Sequence, residues 1–283
     1  MKQLKFLMIA STLLVGISLT SCLNSNSEYT PQVGGFVKIS EGSMFGTAFT
    51  MLDGLTKINP TAASLASAAS NMGFKPENTN IAYVMGTYDE SLNPNIAESK
   101  EYKSVNLTYA ISLDDKTVIT ERGAANDSVN RAPIININNS TDLSSADKDF
   151  HKPWFFYDKT TLMLPINYFV YKAGAHKFTL VYYPEDNANG NKTLKLYLRH
   201  YDAGDKSTST NSLNNSGQLP YIYYYAYDLR NIFMSYSRAV NSSEYPSSVT
   251  IEYVTNSSDL DLTKAETKTI VVERKAILDK TEK

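Results

Sequence analysis

The chain has 283 residues and a mass of 31.5 kDa, with 27 basic and 29 acidic side chains and a single cysteine. With 42% hydrophobic and 20% charged residues it can bury a core, at a length that suits two medium domains or one large one, so a disordered tail is excluded. One cysteine makes neither an internal disulfide nor a cysteine-rich zinc site, and a formal charge of −2 offers no general attraction to nucleic acid.

The N-terminus carries Lys2 and Lys5 without an acid, followed by an apolar run from Phe6 to Leu19 broken only by small Ser, Thr and Gly. This is the charged and apolar pattern of a signal peptide over residues 1–21. Fourteen residues fall short of the roughly 20 that a spanning helix needs, so the segment is expected to be removed. Leu19-Thr20-Ser21-Cys22 resembles the lipobox of bacterial lipoproteins, in which small residues precede a cysteine that is thioether-linked to diacylglycerol. The alternative is a secreted protein with an incidental leftover cysteine. Lipidation at Cys22 implies a partner in the membrane through acyl chains. At about 0.8 kcal/mol per buried CH₂, one chain binds marginally and the three implied by the resemblance hold almost permanently. Loss of Lys2 and Lys5 leaves 25 basic against 29 acidic groups, a balance of −4 that does not favour anionic headgroups. Residues 22–32 are polar and read as a flexible tether. Leu23 rather than Asp follows the cysteine, so one inner-membrane retention signal is absent and an outer-membrane location is expected.

From residue 33 strand signals dominate. Alternation runs through Gly35–Ile39, Ile81–Met85 and Val105–Ile111, each bounded by turn formers. One helix is expected from Thr61 to Met72, with Asn59 as cap, Pro60 at its first position, Gly73 at its end and an apolar stripe of Leu65, Ala69 and Met72. A short helix among strands is compatible with an OB-like barrel over residues 33–140. Between Glu121 and Lys148 turn formers crowd the chain, which places a domain boundary there.

Downstream, Leu162–Tyr171, His176–Tyr183, Lys192–Tyr201, Leu219–Leu229, Val249–Val254 and Thr267–Glu273 have strand length, with a seventh strand expected around Phe233–Arg238. These predict an antiparallel β-sandwich over 150–275. Asn189-Gly190 supplies the positive φ of a hairpin turn, and Leu194, Leu196 and Leu198 point to one face of the strand after it, toward a core. The fold class is therefore mostly β, an N-terminal OB-like barrel with a short helix and a C-terminal β-sandwich.

Catalytic signals are thin. His151, His176 and His200 are the only histidines, and none stands at the spacing that sets two imidazoles on one helical face. They read as solvated or core-edge residues. There is no Gly-x-Ser-x-Gly elbow and no phosphate-binding glycine loop. Asp114-Asp115 reads as a turn. Glu185–Asn191 is rich in oxygen ligands, but a calcium-loop count from Glu185 puts Leu196 where the bidentate Glu belongs. No catalytic residue, metal site or cofactor is assigned, and an enzyme is not expected. In a strand over 219–229, Tyr221, Tyr223, Tyr225 and Tyr227 share a face. Exposed, the row stacks on sugar rings or meets a protein partner; buried, it is strand packing. Trp154 faces the same choice and is placed in the sandwich core or at a seam between domains.

The order of features resembles the NigD-like lipoproteins. The lipobox, Gly35-Phe36-Val37-Lys38-Ile39 and Asp53-Gly54-Leu55 leading to Asn59-Pro60-Thr61 are similar to that family's OB-like N-terminal domain. Leu164-Pro165-Ile166-Asn167-Tyr168, Phe178-Thr179-Leu180-Val181, Leu198-Arg199-His200 and Tyr227-Asp228-Leu229 are similar to its β-sandwich. The resemblance implies a lipid-anchored envelope protein and, through the family's association with a bacteriocin locus, an immunity or accessory role. It carries no catalytic residues. The chain departs from the pattern around Thr61–Phe74 and after Asp205. The expected function is a non-catalytic binding or interaction module with a protein or glycan ligand, a bacteriocin-immunity protein or a glycan-binding surface lipoprotein being the alternatives.

Overall fold

The computed structural model describes residues 30–43, 46–137, 148–170, 176–204, 221–258 and 261–278. They form two compact units that divide between Asp114 and Asp115.

The first unit is a closed barrel of β1 (Gln32–Ser43), β2 (Gly46–Met51), β3 (Lys57–Pro60), β4 (Ile81–Thr87) and β5 (Glu101–Ser112), with strand order β1-β2-β3-β5-β4. Helix α1 (Ala62–Met72) lies between β3 and β4, as the OB-like reading requires. Val33, Val37 and Ile39 alternate inward from β1 and meet Phe49, Ile58, Val84, Val105 and Leu107 in one core. β5 pairs in parallel with β3 and then antiparallel with β4. At Ser104, φ 55°, its register against β3 slips, and this bulge bends the strand round the barrel. Where β4 crosses β5 most closely, a Cβ on Gly86 would lie 2.6 Å from Val105 Cγ1 and 2.8 Å from the Asn106 carbonyl, so only glycine fits.

The helix starts one residue later than expected, and its cap is Thr61. The Thr61 hydroxyl accepts from the Ser64 N–H at 3.1 Å, while Pro60 ends β3. Gly73 closes it in the left-handed region at φ 69°. The buried stripe is Ser64, Leu65 and Ala68 rather than Leu65, Ala69 and Met72. Small residues decide this: Ser64 and Ala68 let the helix approach β5 so closely that the Ser64 hydroxyl donates to the Val105 carbonyl at 3.2 Å.

The second unit is a sandwich. Its strands are β6 (Lys116–Ile119), β7 (Trp154–Phe155), β8 (Thr161–Tyr168), β9 (Lys177–Tyr182), β10 (Leu194–Tyr201), β11 (Tyr221–Asp228), β12 (Ser248–Thr255) and β13 (Glu266–Glu273). A five-stranded sheet, β13-β12-β10-β9-β6, faces a three-stranded sheet, β11-β8-β7. Both contribute to one core, which includes Leu164, Ile166, Phe178, Leu180, Leu196, Tyr227 and Ile251. The inward leucine row of β10 is as expected, with Leu194, Leu196 and Leu198 all at 2% exposure or less.

Three expectations for this half are corrected. First, pairing is mixed rather than antiparallel throughout: β6 with β9 and β10 with β12 are parallel. In each case the intervening chain crosses through the opposite sheet, which supplies the long return that a parallel neighbour needs. Second, the strand expected around Phe233–Arg238 is helix α3 (Arg230–Ala239). Ile232, Phe233, Tyr236 and Val240 fall on one helical face and pack on the core. Third, the division precedes the polar stretch at 121–148, because β6 pairs with β9 and belongs to the second unit.

Candidate functional site

Of the candidate residues, Cys22 and the side chain of Tyr221 lie outside the described residues. The remaining tyrosines of the row point inward. Tyr227 is fully buried and its hydroxyl donates to the Phe178 carbonyl at 3.2 Å. Tyr225 shares a 2.8 Å hydrogen bond with the Tyr168 hydroxyl, and half-buried Tyr223 packs beside it. Burial pushes both the Tyr225 and Tyr227 phenols well above their ordinary pKa. Tyr225 and Tyr227 are thus sandwich packing, which overturns their reading as an exposed platform for sugar rings.

The inward rows of the four central strands converge in an imidazole and phenol cluster. On β10 the row Leu194, Leu196, Leu198 ends in His200, which is 1% exposed. On β9 the row Tyr182, Leu180, Phe178, traced backward, reaches His176. The His176 Nδ1 and His200 Nε2 lie 2.8 Å apart, with ring centroids at 5.1 Å. His200 stacks on Phe178 at 4.4 Å, and Tyr168 meets both imidazoles edge-on or tilted at 5.7 and 5.0 Å. The partners fix the tautomers. His200 Nδ1 faces the Pro133 carbonyl at 3.2 Å, and a carbonyl only accepts, so Nδ1 carries the proton. His200 Nε2 is then the acceptor and His176 Nδ1–H the donor. Neither His176 nor His200 stood out in the sequence as a pair; the parity of each with its buried strand row is the signal that locates them.

Burial holds the His200 imidazole neutral and lowers its pKa to about 4; the adjacent His176 acts the same way, while the Pro133 carbonyl and Asp202 oppose it. An unfolded His200 takes up a proton below about pH 6.5 while the folded one does not. The second unit is therefore expected to lose stability as pH falls from 6.5 toward 4, by about 2 kcal/mol at pH 5. Denaturation at pH 7 and pH 5 measures this. A wild-type loss matched by His200→Gln would remove His200 as the cause.

A second convergence lies on the opposite face of the five-stranded sheet. Arg122 sits over the Tyr183 ring at 4.3 Å and donates to Asp186 Oδ1 at 2.7 Å, the Tyr197 hydroxyl at 2.8 Å and Glu185 Oε1 at 3.3 Å. The Tyr197 hydroxyl donates to Asp186 Oδ2, and the Tyr183 hydroxyl to Asp127 Oδ1, both at 2.8 Å. Val118, Val181, Tyr183 and Tyr197 form a small apolar cluster beneath. An open cleft of about 530 Å³ runs beside Arg122, between Ile119–Arg122 and Pro184–Glu185. The oxygen-rich loop 185–191 is thus arranged about a guanidinium, with Asn187 buried at its centre.

The other singled-out residues have structural places. The Asp114 carboxylate accepts from the Asn80 and Ile81 N–H groups at 2.5 and 3.1 Å, and the Asp115 carboxylate from the Lys116 and Phe178 N–H groups at 2.7 and 3.2 Å. Each residue of the turn is fastened to its own unit. Trp154 is buried in β7 near Phe150 and Phe156, while Phe155 faces the sandwich core. His151 is 6% exposed. Among the described residues, no three His, Cys, Asp or Glu side chains converge to hold a metal ion.

No model of a known protein family matches the sequence, and no curated protein does. Among solved structures, a candidate lipoprotein of Bacteroides fragilis superposes with a TM-score of 0.63 at 22% identity, over 87% of this chain and 99% of that one. A candidate toxin-related protein of Parabacteroides distasonis matches with a TM-score of 0.48 at 14% identity, over 86% and 94%. A protein of unknown function, DUF1344, of Bacteroides vulgatus gives 0.47 at 10%, over 86% and 90%. The first of these likenesses shows that both halves of the chain share one architecture with a known structure.

Proposed function

We propose that the chain is a lipid-anchored lipoprotein of the bacterial envelope, held at the outer membrane, whose two β-rich units form a non-catalytic binding or interaction module. One observation carries the reading: the sole cysteine stands directly behind a charged and apolar leader, at Leu19-Thr20-Ser21-Cys22, and ten residues later β1 begins at Gln32. The likeness in fold to a candidate lipoprotein supports it. Among the described residues no helix is long and apolar enough to cross a membrane. The acyl chains on Cys22 then supply the attachment, and the polar stretch after it sets the reach of the folded body.

The test is fractionation. Wild-type protein should remain with membranes through a carbonate wash and incorporate a labelled fatty acid, whereas Cys22→Ala should move to the soluble fraction, unlabelled. A Cys22→Ala protein that stays with the membrane sinks the proposal. The NigD-like resemblance adds a second reading, an accessory or immunity role beside a bacteriocin. A toxin precursor and an exporter encoded next to this gene would favour it.

A further inference from the structure

The outer face of the five-stranded sheet carries two kinds of surface. At one end Arg122 is matched by Glu185 and Asp186. At the other end the cations have no such match, and strand parity puts them there. Phe178 and Leu180 point into the core from β9, so Lys177 and Thr179 point out; Leu198 and His200 are buried on β10, so Arg199 and Tyr201 point out. Lys116 shares the outward row of Val118 on β6.

Register gathers these residues. Lys116 pairs with Thr179 and Thr179 with Arg199, in one line across β6, β9 and β10, and the next outward pair is Lys177 with Tyr201. At about 4.8 Å between strands and about 6.7 Å between alternate residues, the backbones of Lys116, Lys177 and Arg199 stand within about 10 Å of one another. Arg131 joins them from the segment bonded along His200, its guanidinium 5.4 Å from the centre of the Tyr201 ring.

Four like charges this close repel one another, yet among the described residues none of them forms an ion pair. The carboxylates that come next along the chain or through a shared partner are already engaged. Asp115 accepts from the Lys116 and Phe178 N–H groups, Asp127 from the Gly123 N–H and the Tyr183 hydroxyl, and Asp202, 3% exposed, from the Gly204 N–H at 3.0 Å. Arg199 donates once, to the Tyr183 hydroxyl at 3.1 Å. Between the cations, the Thr179 hydroxyl and the Tyr201 phenol, 37% exposed, make no hydrogen bond to the described residues. The patch thus offers charge, neutral hydroxyls and one aromatic ring, all open.

We infer that this patch binds an acidic oligosaccharide, whose carboxylate or sulfate groups pair with Lys116, Lys177, Arg131 and Arg199 while a sugar ring lies against Tyr201. The inference gives the proposed binding module a ligand class and rests on that reading for the binding role alone, not for the lipid anchor. A bilayer surface suits the patch less, because it has no aliphatic side chain to insert beside its charges. A formal charge of −2 over the whole chain works against a long nucleic acid more than against a short ligand confined to the patch.

Titration of the full chain, purified in a neutral detergent, with a heparin hexasaccharide at low salt tests the site, with neutral maltohexaose beside it. Affinity for the heparin fragment should fall about tenfold in Lys177→Glu and in Arg199→Glu, and about threefold in Tyr201→Ala, which keeps every charge. Arg199 is half-buried, so Lys116→Glu repeats the reversal at an exposed position. Lys268→Glu makes the same change of charge on β13, at the far edge of the sheet, and should stay within about twofold of wild type. The inference is overturned if the heparin fragment does not bind, if maltohexaose binds as well, if Lys268→Glu weakens binding as much as Lys177→Glu, or if Tyr201→Ala has no effect. Equal or tighter binding to phosphatidylglycerol vesicles or to duplex DNA at the same salt, lost in the same variants, would overturn it in favour of that ligand.

Discussion

Phe233→Ala is expected to cost the second unit about 4 kcal/mol, the range for truncating a fully buried phenylalanine. Phe233 has no exposed surface, and its ring lies 6.5 Å from Phe155 and 5.3 Å from Tyr245. The loss approaches the whole stability of a typical domain, about 5–15 kcal/mol, so the variant should be near its unfolding edge at room temperature. Trp154 provides the readout, since it is the chain's only tryptophan, 4% exposed and within this unit. Denaturant unfolding followed by its emission should show the midpoint fall sharply. Met234→Ala, one residue on but 41% exposed, should stay within about 0.5 kcal/mol of wild type. Tyr236→Ala should behave like Phe233→Ala, because both lie on the covered face of α3. Equal, small losses at Phe233 and Met234 would mean that this helix does not cover the core.

The same residues show why some of the architecture was readable in sequence and some was not. Strands of good length announced themselves: β1, β5, β10 and β12 coincide with alternating runs, while β4 and β8 coincide with short apolar runs buried on both faces. Phe233–Arg238 was misread because Met234 and Tyr236 alternate with Ser235 and Ser237 as in a short strand, while the helical set Ile232, Phe233, Tyr236 and Val240 begins one residue earlier. β6 and β7, with four and two residues, carry too little pattern to be seen. Parallel pairing leaves no local mark at all, since it depends on which sheet the chain visits between β10 and β12. The α1 stripe was misplaced for a different reason: hydrophobicity favoured Met72, whereas close approach to β5 favoured Ser64 and Ala68.

For the candidate site the limit is one of distance along the chain. In sequence His200 reads as a solvated or core-edge residue, although its step of two beyond Leu198 puts it on the buried row. That it meets His176, twenty-four residues earlier, depends on the β9–β10 register, which sets Phe178 opposite His200. The tyrosine row was correctly seen as one face. Whether that face looks inward or outward is fixed only by the partner sheet, and Phe178 and Tyr168 place Tyr225 and Tyr227 inside. The Glu185–Asn191 loop reads as a hairpin turn and not as a calcium site; that two of its carboxylates, Glu185 and Asp186, receive the guanidinium of Arg122 from sixty-odd residues away has no local mark in the sequence.

Asn187 is the buried polar group on which the loop between β9 and β10 depends, and its substitution should separate two kinds of cost. It has no exposed surface and every strong contact is filled: its Oδ1 accepts from the Tyr182 hydroxyl at 2.9 Å, and its Nδ2 donates to the Asn191 and Thr193 carbonyls at 2.5 and 3.1 Å. The Tyr182 phenol is itself buried, its pKa pushed up to about 12 mainly by burial, so it stays protonated and needs an acceptor such as the Asn187 Oδ1. Asn187→Ala strands one donor and two acceptors. Each stranded group costs about 1–3 kcal/mol, and water reaching the exposed Asn191 side relieves part, so a net loss of about 3 kcal/mol is expected. Asn187→Asp keeps the shape and the Tyr182 bond but turns a double donor into an anion facing two carbonyl oxygens. At pH 7 it should lose about 2 kcal/mol more than the alanine variant. Burial beside carbonyls raises the new carboxyl's folded pKa, so stability is greatest when it is protonated and declines as pH rises. Lowering the pH from 7 to 5 should therefore narrow the gap between Asn187→Asp and Asn187→Ala, against the His200 trend that both share. Unfolding curves of the two variants at both pH values decide it. If the gap stays constant, the Asn187 amide is not donating to those carbonyls, and the loop must be held by something else.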